Sequence, residues 1–195
     1  MTDDKRISFL KKNQRYESSK KRLILNKSIN IESLFFDNIL RSTEWFKNSK
    51  IVASFLSIKS EIPTIFLNQI VEKYGKALCL PTMSKNDSGI LIFKKYFTGD
   101  KLLEGPYGVK EPLNNNVCLP DIIFTPCLAF DINGFRLGYG GGFYDKTISY
   151  FNAIKHNFLT IGFAYEDQKV NNVVHDDLDQ KLNYILTEKQ LYKIL

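Results

Sequence analysis

The stretch that most constrains this chain runs from Ala129 to Asp145 and reads AFDINGFRLGYGGGFYD. Four glycines, Gly138, Gly140, Gly141 and Gly142, stand between basic Arg136 and acidic Asp145. Glycines gather where backbone must take positive φ or pass close to something that a Cβ would block. The apolar run Asp121-Ile122-Ile123-Phe124-Thr125 before it suits a buried strand, and Phe143 to Ile154 after it has helical spacing. Strand, glycine loop and helix is the layout that aims free backbone N–H groups at a phosphate, with the helix dipole adding to the attraction. The two commonest phosphate motifs are excluded. No Gly-Lys-Ser/Thr triplet occurs, and a G-x-G-x-x-G count from Gly138 reaches Phe143 instead of glycine. The bland alternative is a ligand-free bend. Four glycines in five positions, bracketed by Arg and Asp, argue against it.

The rest of the chain alternates apolar runs with helical spacing. Asn30 to Asn48 reads as one helix, in which Ile31, Leu34, Phe35, Ile39 and Trp45 recur at helical intervals and Trp45 is a core or boundary anchor. Ile51 to Leu56 reads as a strand. A helix starts at Pro63 and is stopped near Tyr74 by Gly75. Ala77 to Leu80 is a second strand ended by Pro81, Asn86 to Gly89 a turn, and Ile90 to Phe97 a further strand. Asn133-Gly134 marks a tight turn, and Leu159 to Ala164 and Tyr184 to Thr187 are late strands. Gly105 to Asn116 reads as a surface loop. This alternation predicts a layered α/β domain with a mainly parallel central sheet flanked by helices. Ligands of such sheets sit beyond the carboxyl ends of the strands, where Glu61 and the glycine loop both fall. A single domain over residues 1–195 is expected at this length.

The run Arg136-Leu137-Gly138-Tyr139-Gly140-Gly141-Gly142-Phe143-Tyr144-Asp145, led in by Pro126-Cys127-Leu128-Ala129-Phe130-Asp131-Ile132-Asn133-Gly134, resembles the signature of the 5-formyltetrahydrofolate cyclo-ligases, or 5,10-methenyltetrahydrofolate synthetases. The family pattern is Pro-Gly-x-Ala-Phe-Asp-x-x-Gly-x-Arg-Leu-Gly-Tyr-Gly-Gly-Gly-Tyr-Tyr-Asp. This chain departs from it at Cys127, for glycine, and at Phe143, for tyrosine. The likeness continues more thinly over most of the chain. It implies a NagB/RpiA/CoA-transferase-like fold, with ATP as co-substrate, Mg²⁺ as metal and 5-formyltetrahydrofolate as substrate. It also implies roles. Arg136 and Tyr144 would serve catalysis. Residues Arg136 to Tyr144, including Leu137, would hold nucleotide. Tyr139, the following glycines and Phe143 would face folate as well.

Outside that run the resemblance selects further residues. Residues 1–27 carry nine Lys/Arg against three acidic residues, so the whole net charge of +6 lies there and the remainder balances. A basic helix over about residues 3–25 suits a nucleic acid, a membrane surface or a polyphosphate, or is a solvated face. Only Phe9 and Tyr16 interleave with the charges, which disfavours nucleic acid. The family has a Lys and an Arg four apart on its first helix, contacting ATP, and those roles carry onto Lys11 and Arg15. Its Leu-Ser-x-x-x-Glu carries folate contacts onto Leu56 and Glu61. A carboxylate suits a pterin ring, which offers two parallel donors. Asp145 and one member of the cluster Asp176, Asp177, Asp179 would hold Mg²⁺. Alignment back from Tyr184-Ile185-Leu186-Thr187-Glu188 favours Asp179 over Asp176.

Composition bears on what is excluded. There is no run of eighteen apolar residues and no apolar stretch behind the basic N-terminus, so neither a membrane span nor a signal peptide is expected. Three scattered cysteines (Cys79, Cys118, Cys127) and two histidines argue against a disulfide framework, a zinc site or a His-rich metal site. A cytoplasmic monomer acting on small molecules is expected, with neither nucleic acid nor membrane as partner. Two rival readings remain: a non-catalytic nucleotide- or folate-binding protein on the same fold, and a nucleic-acid contact through the basic N-terminus.

Overall fold

The computed structural model describes residues 3–29, 33–83 and 88–194. The helices are α1 (Asp3–Ser28), α2 (Ser33–Ser42), α3 (Glu44–Asn48), α4 (Ile65–Lys73) and α5 (Phe143–Ala153). The strands of the first half are β1 (Ile51–Ala53), β2 (Ala77–Met83), β3 (Leu91–Lys95), β4 (Leu102–Glu104), β5 (Lys110–Pro112) and β6 (Val117–Cys118). Those of the second are β7 (Ile122–Pro126), β8 (Ala129–Phe130), β9 (Arg136–Leu137), β10 (Leu159–Phe163), β11 (Tyr184–Leu186) and β12 (Leu191–Lys193). One eight-stranded sheet has the order β12-β11-β10-β7-β1-β2-β3-β6. Its middle, β11-β10-β7-β1-β2, is parallel, and antiparallel strands close both edges. The mainly parallel α/β sheet read from the alternation is the one observed.

Side chains alternate across the pleat, so each apolar run feeds two cores. Val52, Leu78, Ile122, Phe124, Ile161 and Phe163 face α2, α3 and α4. Ala53, Cys79 and Ile123 face the other way, toward Phe93 and toward Phe151 of α5. The Phe163 ring meets Phe36 edge-on at 5.1 Å and Phe124 at 6.3 Å, where truncation of such a ring costs about 3–5 kcal/mol. Trp45 packs at the boundary of this core, 5.3 Å from the Tyr184 ring.

Four elements differ from the sequence expectation. The single helix over Asn30 to Asn48 divides at Thr43, which is extended (φ −90°, ψ 134°) and turns its hydroxyl back to the Leu40 carbonyl at 2.9 Å. Residues 30–32 of that helix lie outside the described residues, as do Asn86 and Asp87 of the expected turn. Pro81 does not end β2. Leu78 O accepts from Tyr96 N on the β3 side, so Cys79 and Pro81 address β1, and pairing with β1 stops at Cys79. The missing proline N–H therefore breaks no ladder bond. The surface loop over Gly105 to Asn116 contains a hairpin arm instead. β4 pairs with β5, and Gly105 N bonds Val109 O at 2.9 Å around a 3₁₀ turn. Finally, the buried strand β7 does not lead straight into the glycine loop. The β8–β9 hairpin intervenes, turning at Asn133-Gly134 as read.

Cys79 and Cys118 bring their sulfurs together in the second core. Their Cα atoms are 7.3 Å apart, beyond the span a disulfide bridges without backbone movement. The Cys118 Sγ also lies 3.6 Å from the Phe93 carbonyl, as a donating thiol does. We read the pair as two packed thiols. Cys127 is buried, and burial pushes its thiol up to about 12.

Candidate active site

Chain order reverses between β1 and β7: β2 lies on one side of the pair, and β10 and β11 on the other. The crevice beyond the carboxyl ends at such a point is where open α/β sheets bind ligands. A cleft of about 1630 Å³ opens there. It is floored by Phe55 and Leu56 after β1 and by Pro126 to Leu128 at the end of β7. The glycine loop, α1, the β4–β5 arm and the run Asp176 to Gln180 wall it. Every residue assigned a role from the sequence, from Lys11 to Asp179, lines this one cleft.

The glycine loop follows β9 and ends as the cap of α5. Gly140 (φ 108°) and Gly142 (φ 67°) take backbone that an L side chain rarely adopts. A Cβ on Gly141 would run into the Phe143 ring, whereas one on Gly138 would meet nothing within 4 Å. Leu137 is buried at the start of the loop beside Leu128, Ala129 and Val173. The first N–H groups of α5 have no partner within the helix and carry its positive dipole end, beside the exposed Gly138 to Gly141. Arg136 is 7% exposed. It donates from Nη2 to Asp145 Oδ1 at 2.9 Å and from Nη1 to Gln180 O at 3.2 Å. Its guanidinium stands 5.9 Å from the Tyr144 ring, and burial raises the Tyr144 hydroxyl far above its ordinary value.

α1 reaches this loop with a stripe of polar residues. Lys11, Ser18, Arg22 and Leu25 are its buried positions, spaced seven, four and three apart on one face. Lys11 Nζ donates to Asp176 Oδ2 at 2.7 Å and to Asp179 Oδ2. Burial works against the ammonium, but hydrogen bonds to Asp176 and Asp179 outweigh it, so the Lys11 pKa is raised. The Lys11 hydrogen bond in turn lowers Asp176. Arg15 donates from Nε to Gly138 O at 2.9 Å, and its Cζ lies 3.4 Å from where a Gly140 Cβ would sit. His175 is not in this constellation; its ring stacks on Phe135 at 3.6 Å.

Glu61 sits across the cleft, 5% exposed, with Oε2 accepting from Ile58 N at 2.9 Å. Burial pushes its carboxyl up to about 7, against the Ile58 N–H, Arg22 and Lys59. Leu56 is half-buried beside it, against the larger core. Two features here escaped the sequence. Arg22 is buried at 2% and bonds the Tyr139 hydroxyl. Extending the Lys11–Arg15 face by two turns would have reached it. Tyr107, in left-handed backbone (φ 61°), brings its ring 5.8 Å from Phe143 at the cleft rim, with no sequence signal beyond a neighbouring Gly-Pro.

Asp145 Oδ1 is taken by Arg136 and by Gln180 N at 3.0 Å, and Asp179 Oδ2 by Lys11 and Asp176 N. Among the described residues nothing donates to Asp145 Oδ2 or Asp179 Oδ1, and no group of three or more His, Cys, Asp or Glu gathers as a cluster. Mg²⁺ needs one or two carboxylates, with water and phosphate oxygens completing its shell, so these residues fit it.

A mainly parallel sheet with its cleft at the reversal point is the plan of a small α/β enzyme. Comparison with known proteins says which kind. A model of the 5-formyltetrahydrofolate cyclo-ligase family matches residues 6–188, and the chain belongs to that family of ligases. The 5-formyltetrahydrofolate cyclo-ligase of Haemophilus influenzae is 36% identical over 145 residues, 72% of this chain and 76% of that one. Its Escherichia coli K12 counterpart is 32% identical over 147 residues, 73% and 80% of the two chains. The NMR structure of Aquifex aeolicus 5,10-methenyltetrahydrofolate synthetase superposes with a TM-score of 0.76 at 29% identity, covering 95% of this chain and 93% of that one.

Proposed function

We propose that the protein converts 5-formyltetrahydrofolate to 5,10-methenyltetrahydrofolate with ATP, releasing ADP and phosphate. One observation carries this reading: the glycine loop with the α5 N-terminus, and the buried carboxylate Glu61, face one cleft at the sheet's reversal point. The first suits phosphates and the second a pterin's paired donors. Residues 1–195 serve as one domain in this reading.

The formyl oxygen attacks the γ-phosphorus, the bond to the β-phosphate oxygen breaks, and ADP leaves. The product of that step is an N5 iminium phosphate; N10 adds to its activated carbon and loses its proton, and the C–O bond of the resulting cyclic adduct breaks to release phosphate. An amide oxygen leaves poorly and a phosphate well, so phosphorylation makes the ring closure feasible. The protein's work is positioning and charge neutralisation. The amides of Gly138 to Gly142 cradle phosphate, and Arg136, Lys11 and Arg15 offset its charge. Tyr139 and Phe143 wall the folate, and Tyr144 packs beneath Arg136 and keeps water from it. Asp145 and Asp179 would hold Mg²⁺, which would supply charge neutralisation for the phosphate. Asp176 shares Lys11 with Asp179 and is the alternative ligand.

The test is the near-ultraviolet absorbance of methenyltetrahydrofolate in a mixture of protein, 5-formyltetrahydrofolate and Mg-ATP. ATP-dependent growth of that band, abolished by EDTA, is expected. Binding of both ligands without the band would replace this reading with a non-catalytic binding protein.

A further inference from the structure

Arg22 has no part in the nucleotide contacts described above, yet it is among the most completely buried side chains in the structure. Its guanidinium ties together three segments that line the cleft. Nε donates to Ser60 Oγ at 3.2 Å, Nη1 donates to Cys127 O at 3.1 Å and stands 3.8 Å from Glu61 Oε1, and Nη2 donates to the Tyr139 hydroxyl. Ser60 and Glu61 belong to the segment after β1, Cys127 to the end of β7, and Tyr139 to the glycine loop. The planar fork of an arginine satisfies three such directions at once, which a lysine does not.

We propose that Arg22 is a positioning residue for the folate side of the cleft, fixing the Glu61 carboxylate and the Tyr139 ring in place for the pterin. This rests on the reading of Glu61 as the pterin contact. A buried carboxylate is costly to ionise unless a cation faces it. The groups facing Glu61 are Arg22 from α1, Lys59 from its own segment, Cys127 after β7, Tyr139 of the glycine loop and Tyr144 of α5. Lys59 is exposed and lies 5.1 Å over the Tyr139 ring, so Arg22 is the only buried cation of the set. The ionised form accepts the pterin donors. Folate affinity is therefore full above the Glu61 pKa and falls as pH drops through it. Removal of Arg22 raises that midpoint.

The experiment is equilibrium binding of 5-formyltetrahydrofolate and, separately, of Mg-ADP to the wild type, Arg22→Gln, Arg22→Lys and Glu61→Gln from pH 6 to 9. For Arg22→Gln the folate Kd at neutral pH rises several-fold, up to about tenfold for each unit by which the Glu61 midpoint climbs. Its pH midpoint moves up, and the Mg-ADP Kd, which does not depend on Glu61, shows no such midpoint. Arg22→Lys keeps the charge without the fork: its midpoint stays near that of the wild type while folate affinity drops. Should Arg22→Gln fail to fold, Arg22→Lys decides, because wild-type folate affinity in it would overturn the proposal. An unshifted midpoint in Arg22→Gln would overturn it too, marking Arg22 as structural filling. Wild-type folate affinity in Glu61→Gln would instead sink the reading of Glu61, a different and separable failure.

Discussion

Asp131 is fully buried and is the hinge of the site's architecture, although it touches no ligand position. Its Oδ1 accepts from Asn133 N at 2.9 Å and Phe135 N at 3.2 Å, closing the turn that delivers Arg136. Its Oδ2 accepts from Val173 N at 2.8 Å, anchoring the chain ahead of Asp176 and Asp179. Asp131→Ala leaves these three donors without a partner. Val173 is buried, so its orphaned N–H costs about 2–3 kcal/mol. Asn133 is exposed and Phe135 half-buried; water can reach those donors, which then cost about 0.5–1 kcal/mol each. The sum is about 4 kcal/mol, a large part of a typical domain's 5–15 kcal/mol. Asp131→Asn retains one acceptor oxygen and points an amide N–H₂ at the other donors, for about half that loss. Urea unfolding followed by circular dichroism measures both. A loss under about 1 kcal/mol for Asp131→Ala, at unchanged m-value, would refute this accounting.

Three further outcomes are expected. Gly140→Ala forces a Cβ onto backbone at φ 108° against Arg15; it costs about 1–2 kcal/mol of stability and raises the KM for ATP, with wild-type KM refuting the tight approach. The Lys11 clasp stabilises only while both sides are charged. It is complete between the unfolded carboxylate value of 3.8 and the unfolded amine value of 10.5. It is lost as pH falls through the lowered Asp176 value or rises through the raised Lys11 value. Melting curves of wild type and Lys11→Met should therefore converge at both extremes, and a constant gap across pH would contradict the clasp. Denatured protein should titrate three thiols with or without reductant, since Cys79 and Cys118 are packed but unbridged; a single thiol without reductant would show a bond.

Much of the site was legible because its chemistry is local. The glycine run, Arg136 and Asp145 lie within ten residues, and positive φ or close approach leaves its mark on residue type directly. The strands were legible because the central sheet is covered on both faces, so Val52/Ala53, Leu78/Cys79 and Ile122/Ile123 belong to continuous apolar runs. Element ends were less so. The break at Thr43 and the passage of β2 through Pro81 depend on which edge is already paired, and no residue type records that.

By itself, then, the sequence determined the alternating α/β plan, the phosphate-shaped loop and the cast of residues around it. Tertiary structure alone decided what α1 does. Its composition left the face open between a polyphosphate, a nucleic acid, a membrane surface and water, and only the family resemblance singled out Lys11 and Arg15. The fold buries Lys11 and Arg22 and exposes Phe9, Leu23 and Ile24, the opposite of what hydropathy alone favours. The cause is long-range: Lys11 meets Asp176 165 residues away, and Arg22 meets Tyr139 117 residues away. A charge enters the interior only where a partner waits, and only the assembled sheet brings those partners to one face of the helix.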